Sequence, residues 1–180
     1  MLEEAPHKKI TTAALAKKVG VSEAALYRHF PSKARIYEGL IDFIEDALFS
    51  RISTIVKDAH DTQERCRMII TLLLSFSEKN PGLSRILSGD ALTGETERLH
   101  TRVNQLFTRI EAQIKQVLRE GELRENCRTH LLASATAELL LVIAEGKIRQ
   151  YVRSNFTSLP TNHWQEQWPA LEEAIYLRPS

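Results

Sequence analysis

Apolar side chains recur every three or four residues along most of this 180-residue chain, and no stretch alternates apolar and polar residues as a half-buried strand would. This spacing predicts an all-α fold. Hydrophobic residues make up 43% of the sequence, which is enough for a substantial core. The longest apolar clusters, 69–74 and 139–144, are far shorter than the roughly 20 residues of a membrane span. We therefore expect a cytoplasmic protein that does not engage a membrane.

Charge is distributed unevenly along the chain. Residues 1–35 contain seven Lys and Arg against three Glu, whereas the other 145 residues contain 17 basic and 20 acidic side chains. Nucleic-acid-binding proteins often segregate their charge in this way, because only one surface meets the phosphates. The pattern predicts that the N-terminal segment contacts nucleic-acid phosphates.

Two short helices with a glycine turn between them are predicted over residues 11–30. Thr11 or Thr12 can cap the first helix, and Gly20 follows it at the position where a left-handed backbone is tolerated. Ser22 is a natural N-cap for the second helix, and the proline directly after the range stops it. Such a pair is a helix-turn-helix, which presents its second helix to the major groove of double-stranded DNA.

Longer helices are predicted for the rest of the chain. Ser32 caps a helix over 33–56, and Asp61 and Glu64 form a capping box before a central helix. A further helix ends near Gly121, another covers 130–155, and a short final helix follows Pro160. The helix over 130–155 carries small residues that fit either a tight core or a self-association seam: Ala133, Ala135, Ala137, Ala144 and Gly146. We expect residues 1–32 to form a DNA-binding region and 33–180 to form a larger helical body for regulation and dimerisation.

The start of the second short helix has the residues that base-edge contact requires. Its small side chains let the backbone approach the bases, Glu23 can accept a hydrogen bond from a cytosine amino group, and the methyls of Ala24 and Ala25 can touch thymine methyls. Groups suited to phosphate surround them: Thr11, Thr12, Ser22, Tyr27, Arg28, His29 and Lys33. Three alternatives stay open, namely that Tyr27 faces the core, that His29 supports the turn and that Lys33 is a solvated charge.

This region resembles the DNA-binding signature of TetR-type regulators. The matching runs are residues 10–16 (ITTAALA), 19–22 (VGVS) and 25–33 (ALYRHFPSK). The resemblance implies an all-helical homodimer with a small N-terminal helix-turn-helix unit on a helical-bundle body. On matching positions, the implied DNA contacts are Thr11, Ser22, Ala24, Tyr27, His29 and Lys33.

The body is similar to the nucleoid occlusion factors within that family. The matching segments are residues 43–48 (FIEDAL), 80–87 (NPGLSRIL), 104–107 (NQLF) and 109–113 (RIEAQ). The resemblance implies a nucleoid-associated protein that binds chromosomal sites and, while bound, antagonises polymerisation of the division protein FtsZ, which blocks septum formation over the nucleoid. It leaves open whether one or two dimers occupy a DNA site.

The same resemblance implies a surface for the C-terminal tail of FtsZ at Phe43, Arg51, Leu72, Lys79 and Asn80. Phe43, Ala47 and Arg51 are spaced by four residues and so line one edge of a helix. An aromatic ring beside a cation suits an acidic and apolar tail. The alternative is that Phe43 is ordinary core and Arg51 a solvated charge.

The sequence departs from the family in two places. Only nine residues precede Ile10, where the family has a further helix and a basic arm, so we expect a largely truncated first helix and a less well supported DNA-binding unit. In the body, Ser75 stands where the family tends to have glycine and Lys79 where it has arginine. Lysine lacks the planar fork with which arginine pairs a carboxylate.

Three other functions are alternatives to the hypothesis of a DNA-binding nucleoid occlusion factor. A ligand-responsive TetR-type repressor would release DNA when a small molecule enters the body, although the large side chains there weigh mildly against a pocket. An enzyme lacks support, because the six histidines are dispersed and no nucleophile elbow or phosphate-binding glycine loop occurs. A structural adaptor is the third, if DNA binding is disabled. We expect no catalytic residues, cofactor or metal, and ordinary thiols at Cys66 and Cys127.

Overall fold

The computed structural model describes residues 11–59 and 61–177, and these ranges are built from helices with one isolated bridge between Thr129 and Tyr176. The α-helices are α1 Thr12–Val19, α2 Glu23–His29, α3 Lys33–Asp58, α4 Thr62–Lys79, α5 Pro81–Leu87, α6 Glu97–Arg124, α7 Ala133–Arg153 and α8 Trp164–Ile175. This confirms the predicted all-α fold. None of the helices in the described ranges combines the length and the hydropathy that a membrane span requires.

The predicted helix caps are in place. Each cap side chain accepts a hydrogen bond from the backbone N–H three residues ahead, at 3.2 Å for Thr11, 3.1 Å for Ser22, 3.3 Å for Ser32 and 2.7 Å for Asp61. Gly20 has a φ of 77°, the left-handed conformation that ends α1. These local interactions fix where the two short helices and the two longer helices after them begin.

The centre of the body is α4, as the sequence predicts. It packs against α3, α5, α6, α7 and α8. One apolar stripe of α3 packs into the core, with Leu40 half-buried and the other members buried: Tyr37, Ile41, Ile44, Leu48, Ile52 and Ile55. Burial of this stripe sets which edge of α3 is left for solvent.

Helix α4 ends at Lys79 and Pro81 opens α5, because a proline is tolerated at the first position of a helix, where no intrahelical N–H bond is needed. The end of α6 differs from the prediction. Gly121 does not end α6, which continues to Arg124. It is buried inside the helix because α4 approaches it closely: a Cβ there would lie 2.0 Å from the Thr62 Oγ1.

The small residues of α7 serve two faces. Ala137 and Ala144 are buried inside the chain, so they allow close packing within the core. Gly146 lies on the exposed side, together with Leu139 and Val142. Ala133 is half-buried against the same core, so the core-packing alternative holds for three of the small residues. An exposed apolar stripe remains on the same helix.

The final helix packs into the core and leaves that stripe exposed. Trp164 and Trp168 of α8 are buried in the core, and the Trp164 Nε1 donates a hydrogen bond of 2.8 Å to the Thr71 Oγ1 on α4. The two buried indoles thus hold α8 against the body. The start of α7 also differs from the prediction, because this helix begins at Ala133 rather than at residue 130.

We expect Gly121→Ala to lower the free energy of unfolding by about 1–3 kcal/mol, because a Cβ would overlap a buried neighbour. Thr62 cannot easily move away, since its N–H and Oγ1 both donate to the Glu125 carboxylate at 2.8 Å. Urea unfolding measures the change. The control is Gly39→Ala on α3, where a Cβ meets no atom within 4 Å. It should raise stability by about 0.5–1 kcal/mol, and equal effects of the two substitutions would contradict the packing argument.

Candidate DNA-binding unit and peptide groove

The two short helices form a small unit with an outward-facing second helix. The Tyr27 hydroxyl donates to the Thr12 Oγ1 at 3.1 Å, which joins α2 to α1 across the Gly20 turn. None of the residues of α2 is buried. The first turn of α2 is therefore open to solvent, as contact with base edges requires.

Most of the predicted DNA-contacting residues lie on this open surface. Exposed members are Thr11, Ser22, Glu23, Ala24, Tyr27, Arg28 and His29, and half-buried members are Thr12, Ala25 and Lys33. The exposure of Tyr27 is inconsistent with the alternative that it faces the core. The hydroxyls of Thr11 and Ser22 accept bonds as caps, yet each keeps its own proton, which can be donated to a phosphate oxygen.

Lys33 differs from the others in facing the body. Its ammonium forms an ion pair with the Glu95 carboxylate and lies 5.5 Å from the centre of the Tyr37 ring. It is therefore not the solvated charge that the sequence left open. Glu95 is 62 residues away in the loop before α6, and no local spacing in the sequence signals the pair.

A groove of about 470 Å³ runs between α3 and α4. It contains two of the predicted FtsZ-facing residues, Arg51 and Leu72, and also Ser75. The lining residues that the sequence analysis missed are Thr54, Ile55, Arg67, Met68 and Thr71. Their three- and four-residue spacing was a usable signal, but only once α3 and α4 were known to be neighbours.

The remaining predicted FtsZ-facing residues do not line the groove. Phe43 is 56% exposed on α3, which is inconsistent with its being ordinary core, while Ala47 is half-buried against the core. Lys79 is exposed at the end of α4. The Asn80 Nδ2 donates to the Phe76 carbonyl at 2.8 Å, so this amide already supports the junction of α4 and α5.

Two arginines line the groove, one paired with a carboxylate and one exposed to solvent. Arg67 is held by Glu64 through two hydrogen bonds of 2.6 and 2.5 Å, and this contact keeps the pKa of the Glu64 carboxyl below its usual range. Arg51 is exposed and makes no ion pair with any residue in the described ranges. An apolar floor with a cation at the rim fits a peptide that is both apolar and acidic.

The fold and the helix-turn-helix place the chain among TetR-type regulators. Residues 1–40 match the family described as bacterial regulatory proteins, tetR family, and residues 60–176 match a tetracyclin repressor-like, C-terminal domain of the SlmA-like type. Among solved structures, a TetR transcription regulator from Haloarcula marismortui shares 20% identity at a TM-score of 0.79, covering 98% of this chain and 92% of that one. The fatty acid degradation regulator FadR from Bacillus halodurans shares 15% identity at a TM-score of 0.78, covering 98% and 94%.

Closer relatives narrow the class. The nucleoid occlusion factor SlmA of Shewanella amazonensis is 57% identical over 175 residues, which are 97% of this chain and 89% of the relative. That of Shewanella oneidensis is 56% identical with the same coverage. The chain belongs to the SlmA family of nucleoid occlusion factors.

The exposure of Phe43 predicts that Phe43→Ala leaves the fold intact, with a change of less than about 1 kcal/mol in the free energy of unfolding. Its neighbour Ile44 is fully buried, so Ile44→Ala should cost about 2–5 kcal/mol. Thermal and urea unfolding compare the two variants. A loss of stability in Phe43→Ala as large as that in Ile44→Ala would show that the Phe43 ring is part of the core.

Proposed function

We propose that the protein binds chromosomal DNA in a sequence-specific manner through α1 and α2 and, while bound, antagonises FtsZ polymerisation over the nucleoid. The observation that carries the DNA-binding part is that α2 has no buried residue, so that its first turn is open to solvent and can enter a DNA groove. Membership of the SlmA family supports the second part.

In this proposal the residues of the DNA-binding unit divide into two roles. Glu23, Ala24 and Ala25 meet base edges, because they occupy the first turn of α2. The phosphate contacts come from hydroxyls, an imidazole and cations: Thr11, Thr12, Ser22, Tyr27, Arg28, His29 and Lys33. The proposed DNA-binding region is residues 1–32, and the proposed body is 33–180.

A homodimer would present α2 twice, at the spacing of successive major-groove turns on one face of the duplex, about 34 Å. The apolar stripe on α7 is the proposed seam. Leu132, Leu139 and Val142 are exposed, and with half-buried Ala135 and exposed Gly146 they follow one another at steps of three and four residues. Such a stripe fits the same stripe of a second copy packed against it.

For FtsZ, we propose that the groove between α3 and α4 takes the acidic C-terminal tail. Leu72 and Met68 supply an apolar floor, and Arg51 supplies a cation at the rim. Phe43 extends this surface along α3, two turns before Arg51. Ala47, Lys79 and Asn80 border the site, with Asn80 acting through the helix junction that its amide already supports.

Arg28→Ala should weaken binding to all duplex sequences to a similar degree and should reduce the slope of log affinity against log salt by about one, because one phosphate contact is lost. Fluorescence anisotropy over a salt series measures both quantities. Arg124→Ala is the control, since Arg124 is an exposed cation at the far end of α6 and its loss should leave the slope unchanged. An unchanged slope in Arg28→Ala would contradict the phosphate assignment.

Phe43→Ala should retain DNA affinity while the sedimentable fraction of FtsZ polymer no longer falls when the DNA-bound protein is added. Loss of this aromatic contact removes a large apolar area from the tail interface. The matched control is Leu123→Ala, which truncates an apolar side chain that is 85% exposed on α6 and does not line the groove. If the unsubstituted protein leaves FtsZ sedimentation unchanged and a small molecule releases it from DNA, a ligand-responsive repressor replaces this proposal.

A further inference from the structure

An ion pair lies at the junction between the DNA-binding unit and the body. One of its members, Lys33, is also a proposed phosphate contact. Lys33 is the first residue of α3, and its side chain is only 19% exposed because its ammonium bonds to Glu95, which is itself 11% exposed. The pair crosses from α3 to the loop before α6. A lysine held in this way cannot give its full charge to DNA unless the contact rearranges.

A second partner for Glu95 is already present. The Tyr37 hydroxyl, one turn along α3, is buried and forms no hydrogen bond with any described residue. Burial, and then the nearby charge of Glu95, raise the pKa of Tyr37 to about 12, so the hydroxyl keeps its proton and can donate it. A buried donor without an acceptor is costly and gains free energy when a carboxylate oxygen moves within reach.

We propose that Glu95 is an exchangeable counter-ion of Lys33. In the free protein it pairs with Lys33, and when DNA binds it yields Lys33 to a backbone phosphate and accepts a hydrogen bond from the Tyr37 hydroxyl instead. This inference rests on the proposed DNA-binding function, because it requires α1 and α2 to approach a duplex.

The surroundings of Glu95 make the exchange feasible. An isolated buried carboxylate left behind by a departing lysine would be strongly destabilising. Here the Tyr37 hydroxyl compensates in part, and the positive charge of Arg85 lies close enough to lower the pKa of Tyr37 against the two larger effects. Arg85 is itself fixed by Asp90 at 2.5 Å, so this charge stays in place while Lys33 moves.

The test uses the full chain, a labelled duplex and anisotropy over a salt series. Glu95→Gln should bind about three- to tenfold more tightly than the unsubstituted protein, because the free state no longer has to break the ion pair before Lys33 can reach a phosphate. The salt slope should stay the same, since Lys33 reaches the phosphate in both proteins. In a Lys33→Met background the slope should fall by about one, and Glu95→Gln should then have no effect on affinity.

The matched control separates this exchange from simple removal of a negative charge. Glu38 on α3 is also a largely buried carboxylate, paired with Arg35 at 2.8 Å and Arg98 at 3.4 Å. Any tightening in Glu38→Gln should persist unchanged in the Lys33→Met background. If the tightening in Glu95→Gln persists there as well, or if Glu95→Gln binds no more tightly than the unsubstituted protein, the inference is overturned.

The Tyr37→Phe variant tests the other step of the exchange, the hydrogen bond from the Tyr37 hydroxyl to Glu95 in the DNA-bound protein. It should weaken DNA binding about two- to fivefold while thermal stability is kept, because the buried hydroxyl has no partner in the free protein. Unchanged affinity would overturn the role of Tyr37. If Glu95→Gln does not fold, Glu95→Asp tests the same contact with a shorter carboxylate, and it should also bind more tightly.

The two proposals fail in different ways. An unsubstituted protein that binds no duplex DNA removes the proposed function and this inference together. A protein that binds DNA with no Lys33-dependent effect of Glu95→Gln removes only the inference.

Discussion

The apolar stripe of α3, from Tyr37 to Ile55, packs against the body and so fixes the rotation of this helix about its axis. With that rotation set, the first turn of α3 directs Lys33 to the loop before α6, and the C-terminal half of α3 places Arg51 at the rim of the groove with α4. A single helix thereby carries the base of the DNA-binding unit and one wall of the groove between α3 and α4. A change in its tilt would affect both surfaces.

The DNA-binding unit and the body are stabilised by different means. The body has a continuous core around α4, where loss of a side chain leaves a cavity. In α2 no residue is buried, so this helix depends on its serine cap, on the Tyr27 contact with Thr12 and on its connection to α3. Recognition elements with few buried contacts open locally at low free energy, which lets them adjust to a bound duplex.

Local chemistry explains which features could be predicted from the sequence. The caps at Ser22 and Asp61, the left-handed Gly20 and the helical spacing depend on neighbours within four residues, and the structure confirms each of them. Contacts between distant residues left no such signal. The bond from Lys33 to Glu95 and the close approach of Gly121 to Thr62 exist only because separate helices meet. Phe43 and Arg51 could be assigned to one helix edge, but the groove that Arg51 enters needed the position of α4.

The buried indole of Trp164 connects the last helix to the groove. Its Nε1 donates to Thr71, and Thr71 is part of the groove wall. Indole emission depends on the polarity and hydrogen bonding around the ring, so any ligand that displaced Thr71 would change the surroundings of a natural fluorophore. In that case Trp164 would report occupancy of the groove without an added label.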